Sequence, residues 1–154
     1  MDLSLQQTLT PDGRCFGCGP ANDRGLHLAS YPAPSYAQDG RVTMTFDPWP
    51  EHDNGLGSLN GGIIATLLDC HAGAVMMLAA AERGWLDPAG GLVFVTAGLE
   101  VKYRRPAPAD RAVRGEAWAL SVEESVMVIQ ADLYDDDVQC AISTSTWKRW
   151  RPRT

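Results

Sequence analysis

Asn54-Gly55-Leu56-Gly57-Ser58-Leu59-Asn60-Gly61-Gly62, running directly into Ile63-Ile64-Ala65-Thr66-Leu67-Leu68-Asp69, is the stretch on which the fold turns. A polar, glycine-rich loop opens onto an apolar segment. Ile63, Ile64, Leu67, Leu68, Cys70, Ala74, Val75 and Leu78 cover most of a helical circumference, and a helix apolar nearly all round is a buried one. The spacing predicts a helix from Gly61 or Gly62 to Arg83, stopped by Gly84. Its small residues (Ala65, Ala72, Gly73, Ala74, Ala79) would let a sheet approach closely. A helix start offers unpaired N–H groups and the positive end of the macrodipole, both suited to negative charge. Asp69 is the only acid between Asp53 and Glu82, so one carboxylate stands alone in an apolar helix.

On either side the pattern is β. Val42, Met44 and Phe46 alternate with Arg41, Thr43 and Thr45, which predicts a half-buried strand over Arg41–Phe46, broken by the prolines Pro48 and Pro50. Beyond the helix, strands are expected over Leu92–Tyr103, Ala112–Val122, Ser125–Tyr134 and Val138–Trp147, with turns at Glu123-Glu124 and Asp135-Asp136-Asp137. Short turns imply an antiparallel meander, and one long helix on such a sheet is an α+β architecture. Residues 1–40, rich in Pro, Gly, Asp and Asn, read as an irregular leader.

At 154 residues the chain fits one domain, 1–154, with a real core. A net charge of −6 disfavours a general nucleic-acid or anionic-membrane surface. The longest apolar or small run, Ala72–Ala81, is about half of the ~20 residues that span a bilayer. Met1-Asp2-Leu3-Ser4 lacks the basic-then-apolar pattern of a signal peptide, so a soluble cytoplasmic protein is expected. Four scattered cysteines make reduced thiols the default. Cys15-Phe16-Gly17-Cys18 is expected to be a tight turn packed on the core. It supplies half of a tetrahedral zinc site; His27 is a possible third ligand and nothing marks a fourth, so no metal is assigned. A thioredoxin-like role would need the pair to open a helix, and Gly19-Pro20 argues against that.

Several chemistries fail on single residues. Gly55-Leu56-Gly57-Ser58-Leu59-Asn60 puts Asn where the dinucleotide fingerprint needs its last glycine, and no strand precedes it. Ser58 is one glycine out of place for a nucleophile elbow, and no H-E-x-x-H or P-loop occurs. His71 lies two residues after Asp69, about 200° round a helix, so it cannot pair with it; a core or interface histidine is expected. His52 is expected on exposed loop surface, with a pocket wall as the alternative.

The loop and Asp69 remain, and here the segment resembles the hotdog-fold acyl-CoA thioesterases of the phenylacetate-pathway type. Their pattern is an Asn-Gly loop, then His-Gly-Gly opening the central helix, then an acid eight residues after the first of those glycines. Asn54 matches the loop asparagine, Gly61 the glycine and Asp69 the acid. Val95-Thr96-Ala97 places Thr96 at the family's Ser/Thr position, and Lys102-Tyr103-Arg104-Arg105-Pro106 resembles its strand-ending motif. The Cys15–Leu28 stretch is similar to a leader found in one branch. One departure is clear: Asn60 stands where the family usually has histidine.

The resemblance implies a hotdog fold, in which a sheet of about five or six strands wraps one helix, and a catalytic set of Asp69, Gly61, Asn54 and Thr96. Asn60, Gly62, Lys102, Arg104 and Arg105 become candidates for substrate contact, with the tail cations Lys148, Arg149, Arg151 and Arg153 a second choice for the phosphates of coenzyme A. No cofactor beyond the coenzyme A of the substrate is implied. The chemistry fits on its own terms: a helix-start N–H stabilises the developing oxyanion, and a carboxylate serves as nucleophile or general base. Eight residues of helix separate Gly61 from Asp69 by about 12 Å, too far for both to act on one carbonyl. The reaction therefore demands at least a dimer, and possible pairing into a tetramer is left open. The alternatives are a non-catalytic acyl-CoA-binding module, a hydratase of the same fold, and a redox or zinc module built on Cys15 and Cys18.

Overall fold

The computed structural model describes residues 2–87 and 94–150. The central helix, α3, spans Gly61–Glu82, close to the expected bounds. Asn60 caps it, its Oδ1 accepting from the N–H groups of Gly62 (2.7 Å) and Ile63 (3.3 Å). It ends in a Schellman arrangement: Gly84 at φ +70° and Trp85 return their N–H groups to Ala81 and Ala80. The apolar circumference is used as such, for Leu67, Leu68, Ala72, Ala74 and Ala80 are buried. By length and hydropathy α3 would also pass as a membrane span, which the Ala72–Ala81 run alone did not suggest; 72% of that window is buried inside the protein.

Around it lies one antiparallel sheet ordered β1-β2-β4-β5-β6-β3, comprising Ser30–Pro32, Val42–Phe46, Val113–Val122, Val126–Asp135, Val138–Arg149 and Phe94–Tyr103 for β1, β2, β4, β5, β6 and β3. This is the hotdog arrangement. Strand starts and ends fall near their expected places. Leu92 and Val93, expected to open β3, lie outside the described residues. The β5–β6 turn bends at Asp136 (φ +50°), inside the acidic triplet.

The leader departs from expectation. Leu5–Leu9 forms a short helix, α1, with a Ser4/Gln7 capping box, and β1 extends the sheet beside β2. Tyr36–Asp39 adds a single turn, α2. Leu5, Leu26 and Leu28 join the core, so the segment is structural rather than irregular. Five and three residues are too few to display a period, and β1 ends in a proline, which an edge strand tolerates.

Two close approaches seat the helix. A Cβ on Gly73 would come within 3.2 Å of the Trp147 ring, and one on Gly115 of β4 within 3.1 Å of His71 Cδ2. His71 is fully buried, as a core histidine. Ser30 organises it: Gln6 Nε2 donates to Ser30 Oγ, which shares a 2.9 Å hydrogen bond with His71 Nδ1. Its Nε2 has no hydrogen-bond partner among the described residues. Burial holds the ring's pKa down to about 4, with the backbone of Val42 and Gly115 opposing.

That depression links stability to pH. Between the ordinary histidine value and about 4 the unfolded chain binds the extra proton, so stability rises with pH and is lost on acidification through this window. Urea denaturation of the wild type should lose up to about 3 kcal/mol from this residue between pH 7 and 4. His71→Gln should flatten the curve by that amount; equal slopes for the two proteins would refute the assignment.

Candidate active site

The loop before α3 is built by its own polar side chains. Asn54 Oδ1 accepts from the N–H groups of Leu56 (2.8 Å) and Ser58 (3.3 Å), and Asp53 Oδ1 accepts from Gly55 N–H. Gly55 (φ +88°) and Gly57 (φ +86°) occupy left-handed conformations that side chains disfavour. His52 is buried, contrary to expectation: its ring stacks on Trp49 with centroids 4.9 Å apart, and Nδ1 accepts from Trp49 N–H. Its carbonyl takes the N–H of Asn60, so it supports the helix start from behind.

At that helix start Asn60 consumes the N–H groups of Gly62 and Ile63, which leaves Gly61 N–H without an acceptor among the described residues. Gly62, a candidate for substrate contact, therefore has its donor already engaged. Tyr103 closes the arrangement from β3, donating its hydroxyl to the Gly61 carbonyl at 2.6 Å. Asn54, Gly61, Tyr103, Arg104 and Arg105 line one cavity of about 550 Å³. Arg104 and Arg105 form no ion pair among the described residues, whereas Lys102 lies near Glu100 (3.9 Å) away from this cavity. Of the tail cations, Arg149 pairs with Glu124, and Arg151 and Arg153 fall outside the described residues.

Asp69 faces a different cavity, of about 320 Å³, walled by Met76, Met77, Val95, Thr96 and Trp147 and by the turn that carries Cys15 and Cys18. Thr96 lies at a β-bulge where β3 slips against β6, and its hydroxyl donates to Asp69 Oδ1 at 2.8 Å. No cation pairs with this carboxylate among the described residues. Burial pushes its pKa up, the Thr96 hydrogen bond opposes, and charge at Cys15 adds to the rise. The carboxylate is positioned, partly desolvated and poised as a base.

The four candidate catalytic groups thus divide, Asn54 with Gly61 and Asp69 with Thr96, between two cavities of one chain. Sequence reasoning missed Tyr103 as the strap on Gly61, Trp147 as a cavity wall and Cys70 as a neighbour of Cys15 and Cys18. Only Tyr103 carried a signal, standing inside a motif already singled out for its basic residues.

The one long helix against a six-stranded antiparallel sheet is the fold of the hotdog proteins. Residues 56–142 match the thioesterase superfamily, and the chain belongs to that superfamily. No curated protein matches its sequence. Among solved structures it is similar to a phenylacetic acid degradation-related protein from Ralstonia eutropha JMP134 (20% identity, 94% of this chain and 98% of that one, TM-score 0.70). It is also similar to a Bacillus halodurans protein solved with CoA (23%, 83% and 77%, 0.64). A Streptococcus mutans UA159 protein bound to acetyl CoA is a third (19%, 75% and 86%, 0.60).

A carboxylate without a cation beside it weakens the fold above its ordinary pKa, because the folded state resists ionisation there. Asp69→Asn retains the acceptor for Thr96 and removes the charge. Its thermal midpoint at pH 7.5 should exceed that of the wild type by about 2–4 °C, and the gain should shrink as pH falls toward the usual carboxylate range. A variant less stable than wild type at pH 7.5 would contradict this account.

Proposed function

We propose that the protein is an acyl-CoA thioesterase whose active site forms across a homodimer. The observation that carries this reading is the Asp69 carboxylate, held by Thr96 on an apolar cavity in a chain of the thioesterase superfamily. The CoA and acetyl CoA carried by two structural neighbours support a coenzyme A ester as substrate. Strand β3 supplies the means of pairing. It ends the sheet, its far edge has no partner strand among the described residues, and Val95, Leu99 and Tyr103 are 39%, 38% and 54% exposed. An exposed edge strand of this length is a template for another chain. Antiparallel pairing of two β3 strands about a two-fold axis sets the Thr96 end of one beside the Tyr103 end of the other. Asp69 of one subunit then meets the Gly61 cavity of its partner.

In the reaction, Asp69 takes a proton from water as the water oxygen attacks the thioester carbonyl, and Thr96 holds the carboxylate in line. The oxyanion accepts from Gly61 N–H of the partner subunit, and Asn54 shapes the loop that presents it. Collapse breaks the C–S bond, and the departing thiolate takes the proton back from Asp69, leaving a carboxylic acid and free coenzyme A. In the nucleophilic variant Asp69 itself attacks, forming an anhydride that water opens. Heavy oxygen from labelled water enters the Asp69 side chain only in that second course. Arg104 and Arg105, which line the Gly61 cavity, would meet the phosphates. The chemical step needs no cofactor beyond the substrate's coenzyme A, and the setting proposed is the cytoplasm, without nucleic-acid or membrane partners.

Thiol release over a panel of aromatic and aliphatic acyl-CoA esters tests the activity. Asp69→Asn should lower kcat by about 10²–10⁴-fold, and Thr96→Ala by less. Gly61→Pro removes the N–H while keeping a residue suited to the first helical position, and Asn60 already has the extended ψ of 134° that precedes proline well. Asp69→Asn and Gly61→Pro chains should each retain at most about a hundredth of wild-type activity alone. Mixed dimers of Asp69→Asn and Gly61→Pro chains restore one intact site, so statistical mixing should recover about a quarter of wild-type activity. No thiol release by the wild type from any ester would overturn the activity; no recovery on mixing would overturn the shared site.

A further inference from the structure

We propose that Cys15, Cys18 and Cys70 form a three-thiolate site for a borderline-soft divalent cation such as zinc, clamping the leader turn onto the central helix. The turn and the helix residue after Asp69 are far apart in sequence, yet their three sulfurs lie within 4.8 Å of one another. Cys15 Sγ and Cys70 Sγ are 3.7 Å apart. Two thiolates bound tetrahedrally at a Zn–S distance near 2.3 Å stand about 3.8 Å apart, so this pair is spaced as ligands and not as a disulfide.

The backbone is shaped for the same purpose. A Cβ on Gly17 would sit 2.2 Å from Cys70 Sγ and 2.9 Å from Thr66 Cγ2, so only glycine lets the turn press against α3 there. A Cβ on Gly19 would sit 2.4 Å from the Cys15 nitrogen, which holds the turn tight behind the pair. The Cys15 and Cys70 sulfurs are already within thiol hydrogen-bonding distance, and either can donate. On binding, a cation displaces the thiol protons to solvent and takes the three sulfurs as thiolates. His27, the third ligand suggested by spacing, instead bonds the Asn22 carbonyl through Nε2. Cys70 takes its place.

Asp69 does not complete the group, because its carboxylate oxygens lie outside the 4.8 Å cluster. The fourth position therefore falls to a solvent or ligand atom in the cavity that all three cysteines line. The cation's work is to fix one wall of that cavity. The site stands independently of the thioesterase reading, since it requires only the leader turn and α3.

The test uses the full chain, reduced and freed of metal, then titrated with Co²⁺ and with Zn²⁺. Tetrahedral thiolate ligation should give a near-ultraviolet thiolate-to-cobalt charge-transfer band saturating at about one ion per chain. Zinc should displace the cobalt and shield three of the four cysteines from alkylation, counted by intact mass. Cys70→Ser should abolish the band and the shielding, and Cys140→Ser should leave both. The alkylation count needs no substitution, so a Cys70→Ser chain that fails to fold does not spare the proposal. Wild-type chain without the band, shielding unchanged by zinc, or two thiols found joined as a disulfide in the protein as isolated under reducing conditions would each overturn it.

Discussion

The contact between α3 and the sheet governs everything else in this protein. Gly73 lies against the Trp147 ring and Gly115 against His71, and at neither place is there room for a methyl group without a shift. Because the helix sits this deep, its polar groups have few ways out. His71 faces the sheet and is fixed by Ser30 and Gln6 from the leader. Asp69, on nearly the opposite side, comes out beside β3, where the bulge offers Thr96. The same burial that makes the helix immovable holds Gly61 and Asp69 about 12 Å apart. No rotation of side chains closes such a gap.

Two ionisable residues on one helix show how differently burial can be handled. The His71 ring is neutral, and its relay through Ser30 leaves only Nε2 without a partner. It serves the core. Among the described residues Asp69 has one hydroxyl and no cation, so its charge is left facing an apolar cavity. A carboxylate in that condition costs stability and gains basicity. The uncompensated group is the one expected to carry chemistry.

How much of this was legible depended on length and on locality. A helix of 22 residues with a capping asparagine and a glycine stop declares itself, as do ten-residue strands with alternating faces. The candidate acid was visible because no other acid stands between Asp53 and Glu82. The leader was not legible: α1 and β1 are too short to show a period, and their order comes from contact with α3 and β2. His52 looked like loop surface because stacking on Trp49 leaves no trace in composition. The cysteine trio escaped for the same reason. Spacing rules read ligands along a chain, and Cys70 is brought to Cys15 and Cys18 only by the packing of the turn on the helix.

Asn60 narrows what the helix start can do. As N-cap it spends its side-chain oxygen on the N–H groups of Gly62 and Ile63, and its own N–H is bonded to the His52 carbonyl. Of the four donors that a helix start leaves open, only Gly61 N–H remains available. A start capped by water would present a cradle of donors able to hold a phosphate or a carboxylate in several poses. This one presents a single donor, with the Tyr103 hydroxyl bound to the carbonyl of the same residue, fixing its orientation. A single, oriented donor suits one oxygen atom that gains charge, which is what a thioester carbonyl supplies. The cap that stabilises the helix thus also sets which atom of a ligand the helix can address.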